Sequence, residues 1–108
     1  MYCIVDVIYG VPLNQKVYDT LDELGLESDD VGLVEQYSGG SDLRPGYCGV
    51  QLDSFDEATD MALKVSSIRM IPTAKEITQF HTIFSSLPEE VKKHLKAKPD
   101  VYLVFHTS

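Results

Sequence analysis

The segment Tyr2–Tyr9, YCIVDVIY, constrains this chain more than any other stretch. Its residues alternate as in an extended strand: Cys3, Val5, Val7 and Tyr9 project one way, Tyr2, Ile4, Asp6 and Ile8 the other. Both sets are mainly apolar. A strand lying on a surface would be polar on one side, so this pattern predicts an inner strand with a layer against each face.

The rest of the chain supplies elements to surround it. Pro12 and Asn14 open a helix in which Leu13, Val17, Leu21 and Leu24 recur at helical spacing, with Lys16, Asp19, Asp22 and Glu23 on the wet side. Gly25 stops it, because glycine tolerates the left-handed backbone just past a helix end. Glu27–Asp30 reads as a polar turn, and Val31–Tyr37 and Tyr47–Leu52 as two strands. Ser54 with Glu57 matches a capping box for a second helix bearing Ala58, Met61, Ala62, Val65 and Ile68, which Pro72 ends. Thr73 with Glu76 starts a third, carrying Ile77, Phe80, Ile83 and Phe84. Ser86 with Glu89, and Pro88 in the first turn, start a short fourth that turns Val91 and Leu95 inward. Pro99 ends that helix, and Asp100–His106 is the last strand.

The order is therefore β-α-β-β-α-(α-α)-β, an α+β chain forming a single domain over residues 1–108. Short connections and right-handed crossovers predict a ferredoxin-like (split βαβ) four-stranded antiparallel sheet in spatial order 4-1-3-2. Two inserted helices precede the last strand. The first and second helices should cover one sheet face, and the inserted pair part of the other face or an edge.

The glycine-rich stretch YSGGSDLRPGYCGVQL, Tyr37–Leu52, has no Walker spacing and runs from strand to strand. A phosphate cradle needs backbone N–H groups converging at a helix start, so this is a bend and not a cradle. Arg44-Pro45-Gly46 has the residues of a β-turn. The Ser38–Gly46 loop, with Arg44 in it, stands open as either a recognition loop or a plain connection.

Net charge is −8, and it is unevenly spread. Residues 1–60 carry 13 acids against Lys16 and Arg44, a balance of −11; residues 61–108 carry 4 acids and 7 bases, a balance of +3. Such a protein is repelled by nucleic-acid phosphates and anionic membranes, so direct binding to either is disfavoured. The acidity fits a protein partner with a basic surface, or serves solubility alone. The candidate partner-binding residues are Asp19, Asp22, Glu23, Asp29, Asp30, Asp42, Arg44, Asp56 and Glu57. A sharper form of this reading is an inhibitor presenting carboxylates to a nucleic-acid-binding surface where phosphates would sit.

Cys3 and Cys48 fall in apolar runs without C-x-x-C spacing, which predicts reduced core thiols and a cytoplasmic protein. The apolar start is short, carries Asp6 and lacks a basic flank, so neither a signal peptide nor a membrane span is expected. Neither His81 nor His94 has a second ligand four residues further on, and no metal or cofactor is expected. His106 is different. With the last strand beside the first, it should share a face with Asp6 and Tyr102, and Tyr47 and Gln51 could join from the third strand. Two further readings follow: a small enzyme or ligand-binding domain using Asp6 and His106, and a sheet-to-sheet homodimer through Tyr2, Ile4, Ile8 and Tyr102.

Overall fold

The structure is a computed structural model, and it describes residues 3–35, 46–56, 68–95 and 98–107. Strand β1 is Cys3–Pro12, helix α1 Gln15–Leu24, strand β2 Val34–Glu35, strand β3 Gly46–Asp56, helix α2 Ala74–Ser85, helix α3 Glu89–Lys92 and strand β4 Asp100–Thr107. A 3₁₀ turn, Ser28–Val31, lies between α1 and β2.

The four strands form one sheet in the order β2-β3-β1-β4, every neighbouring pair antiparallel. β1 is thus an inner strand, as its two apolar faces require. Val7, Ile8 and Val11 are wholly inaccessible, although they point to opposite sides. On one face Val11 and Cys48 pack with Val17 and Leu21 of α1, Phe80 of α2, and Leu87, Val91 and Leu95 around α3. The Phe80 ring meets Tyr9 edge-on at 5.6 Å. On the other face Ile8, Tyr47 and Val104 form a second cluster, with Val34 and Tyr102 against it.

The inserted helices therefore share a face with α1, instead of covering the opposite face or an edge. Phe80, Leu87, Val91 and Leu95 extend the apolar layer that Val17 and Leu21 begin, and one continuous core excludes more water than two thin ones.

Helix α1 begins and ends where its sequence says. The Asn14 side chain accepts from the Val17 N–H, and Gly25 sits at φ 69°. The Leu26 N–H then donates to the Leu21 carbonyl at 2.9 Å and the Gly25 N–H to Asp22 at 3.1 Å, the bond pair of a Schellman close. That close folds Leu26 back onto the core and leaves Leu24, expected on the apolar stripe, 43% exposed.

Other expectations are corrected. The expected turn is wound into 3₁₀ geometry over Ser28–Val31, with Glu27 as its extended N-cap, and the Asp30 carboxylate accepts from the Glu27 N–H at 2.8 Å. Gly32, at φ 79°, then turns the chain, so β2 starts at Val34 and not at Val31. β3 runs on to Asp56, which places Ser54 in a strand and not at a helix start. Ile68 lies in a bend, and the remainder of the expected second helix, with Glu57, lies outside the described residues. The Thr73–Glu76 capping box does start α2. Ser86 starts nothing: its hydroxyl donates to the Thr82 carbonyl at 2.8 Å and closes α2, and Pro88 caps α3.

Candidate functional site

The sheet register decides which side chains can meet. Asp6 of β1 is opposite Ser54 on one side and Val104 on the other, with His106 across from Ile4. The Ser54 hydroxyl donates to one Asp6 oxygen at 2.7 Å, and His106 Nε2 lies 3.1 Å from the other. Asp6 is 3% exposed. A buried carboxyl group must be hydrogen-bonded to be tolerated, and these two contacts answer that need. Burial pushes the Tyr47 phenol up from its ordinary pKa, and the Asp6 carboxylate adds to the rise. Tyr102 faces the same side of the sheet.

The expected meeting of Asp6 and His106 therefore occurs in space, but its chemistry is limited. The Asp6 carboxyl group stands between Ser54 and His106, so no nucleophile–base contact exists between serine and histidine. Neither Asp6 nor His106 lines the cavity found elsewhere on the sheet. That cavity, about 800 Å³, lies along β3 and α2 and is lined by Val34, Tyr47, Gly49, Val50, Lys75 and Ile83, among others. Gln51, expected beside Asp6, lines this groove instead.

A clip of hydrogen bonds ties β3 to the start of α2. The Arg69 guanidinium grips both Glu76 oxygens at 2.6 and 2.7 Å, and it donates to the Leu52 carbonyl at 2.6 and 3.0 Å. Its backbone N–H donates to Asp53 at 3.0 Å. Arg69 beside Glu76, helped by the Thr73 N–H, holds that carboxylate at a pKa of about 2. The Arg69 and Ser54 backbone N–H groups hold Asp53 below its usual range as well. Glu76 thus serves the α2 capping box and the tie to β3 together.

Of the acidic candidates, Asp19, Asp22 and Glu23 are exposed on α1, and Asp29 and Asp30 on the 3₁₀ turn. Glu27 is exposed between the two sets. Asp19 accepts from Gln15 at 3.0 Å and Asp30 closes its own turn, so those carboxylates are partly held in place. Asp56 is half-buried at the end of β3, apart from this group in the fold. Asp42 and Arg44, with the rest of the glycine-rich bend before Gly46, lie outside the described residues, as does Glu57.

The sheet-to-sheet dimer surface is corrected by burial. Ile8 has no exposure within the single chain, so it has no surface to give a second copy. Tyr2 lies outside the described residues. Among the described residues no three His, Cys, Asp or Glu side chains gather into a cluster able to hold a metal ion. None of their helices is long and apolar enough to cross a membrane.

Arg69, Ser54 and the groove were not legible beforehand. Arg69 lies 7 residues before Glu76, with a proline between them, and no helical or strand period links the two. Ser54 could be matched to Asp6 only once the β3 register was known, and an irregularity between Val7 and Ile8 shifts that register. Compared with protein-family models, curated proteins and solved structures, the chain matches none.

Proposed function

We propose that this is a small non-enzymatic binding or regulatory protein that docks on a protein partner with a basic surface. The observation that carries the reading is the row of exposed carboxylates on α1 and the following turn: Asp19, Asp22, Glu23, Glu27, Asp29 and Asp30, with Lys16 as the only base of that stretch. Such a row makes the local potential negative and speeds encounter with a cationic surface. The sharper form is an inhibitor that places these carboxylates in a nucleic-acid-binding site. The fold that presents them is, in our reading, the ferredoxin-like split βαβ, supported by the strand order and by α1 leading from β1 to β2. The buried, reduced thiol of Cys48 supports a cytoplasmic setting.

The test starts with affinity capture of a partner from the native host, followed by association kinetics over a salt series. The association rate should fall steeply with added salt, and a variant with Asp19, Asp22, Glu23, Asp29 and Asp30 changed to Asn or Gln should lose that dependence. Association that ignores salt would remove the steering role. The enzyme reading is weaker, because the Asp6–His106 pair is almost closed to solvent and lies outside the groove.

A further inference from the structure

The sheet has one edge whose chemistry is complementary to itself. β4 pairs with β1 on its inner side, and among the described residues no strand pairs with its outer side. The Leu13 N–H donates to Gly46, so by alternation Val11 and Tyr9 turn their backbone groups to β3, and Ile8, Asp6 and Ile4 turn theirs to β4. Their partners Tyr102, Val104 and His106 bond inward. The N–H and C=O groups of Val101, Leu103 and Phe105 therefore face out.

Natural edge strands are usually blunted by charge, proline, a bulge or shortness. The run Val101-Tyr102-Leu103-Val104-Phe105 has no charge and no proline, and its register with β1 is unbroken. Leu103 is 46% exposed and Phe105 58%. The Leu103 and Phe105 N–H groups and the carbonyls of all three residues make an outward row, while the Val101 N–H donates to its neighbour Asp100 Oδ1 at 2.8 Å. Large apolar side chains flank this row, in a strand with high extended propensity.

We infer that two copies of this chain associate edge to edge through β4, antiparallel about a twofold axis at Leu103, joining their sheets into one. In that register Leu103 meets its own copy, Val101 meets Phe105, Tyr102 meets Val104, and Asp100 meets His106. Each outward N–H finds an outward C=O, because Val101, Leu103 and Phe105 have the same parity, and the Val101 N–H exchanges its Asp100 contact for the Phe105 carbonyl of the second copy. Sliding the axis to Tyr102 would put the Asp100 carboxylate against Val104. Repulsion between acidic copies opposes association, but the carboxylate row on α1 belongs to the other half of the chain, and residues 61–108 carry +3. Main-chain pairing and a few apolar contacts make a modest interface, so the dimer should be reversible and concentration-dependent. It does not rest on the proposed partner docking and leaves α1 free.

Sedimentation velocity over a concentration series should show the chain passing from monomer to dimer, while Leu103→Lys stays monomeric with an unchanged circular dichroism spectrum. Antiparallel hydrogen-bonded pairs set Cα atoms about 5.5 Å apart, within disulfide reach. In a Cys3→Ser background, Leu103→Cys should therefore form a reducible covalent dimer under mild oxidation, and Phe105→Cys should form several-fold less. A wild-type chain that stays monomeric throughout would overturn the inference. So would equal cross-linking of both cysteine variants, or a dimer that survives Leu103→Lys in the folded protein.

Discussion

Arg69 draws the end of β3 and the start of α2 together, and its bonds have a pH signature. Glu76 ordinarily titrates near 4.5 and is held at about 2 in the folded chain. A depressed carboxylate pKa stabilises the fold above the unfolded value and loses that contribution as pH falls through the folded value. Urea midpoints should therefore drop as pH goes from about 4.5 toward 2, with Asp53 adding in the same direction. Glu76→Gln should be less stable at neutral pH and show a flatter profile across that window. Equal slopes for both proteins would mean that the clip is not formed in solution.

Cys48 and Asp6 make residue-scale predictions of a different kind. Burial pushes the Cys48 thiol up to about 12, and only the thiolate reacts with alkylating agents. At pH 8, mass spectrometry should find native Cys48 unlabelled after Cys3, which is only partly buried, has begun to react. For Asp6→Ala, Ser54 and the partly buried His106 lose the buried carboxylate they share, which should cost about 1–3 kcal/mol in urea unfolding. A loss near zero would show that water replaces the carboxyl group freely.

At the scale of elements, β1 and β3 come close together where Gly10 faces Gly49. A Cβ on Gly49 would collide with the Tyr9 carbonyl oxygen and lie 2.8 Å from the Gly10 Cα. Backbone cannot step aside as a flexible side chain can, so Gly49→Ala should destabilise by about 1–3 kcal/mol or more, measured by chemical unfolding. Near-wild-type stability would mean that the strands are further apart than this. The same elements separate what the sequence discloses from what it hides. The inner position of β1, the Gly25 stop and the Thr73–Glu76 box follow rules that act within one or two turns of chain, and these are legible. Ser54 and Ser86 satisfy the same local capping pattern, yet distant or competing acceptors claim them: Asp6, 48 residues away, for Ser54, and Thr82 for Ser86. The face taken by the inserted helices was hidden for a related reason, since periodicity gives a helix an apolar side without saying which sheet face it meets.

At the scale of the molecule, the sheet divides the labour. One face is roofed by α1, α2 and α3, and α1 turns its carboxylates to solvent on the far side of the Val17–Leu21 stripe. The other face buries Ile8 and Tyr47 beside the Asp6 cluster. All of this depends on β1 running through the middle, hydrogen-bonded on both edges. Residue-resolved amide hydrogen exchange on the dilute protein reads that arrangement directly. The amides of Val5 to Tyr9 should exchange in an unbroken slow block that opens only with global unfolding. In β4, slow amides at Tyr102 and Val104 should alternate with fast ones at Leu103 and Phe105. An alternating or uniformly fast pattern along Val5–Tyr9 would place β1 at an edge and contradict the architecture on which each site depends.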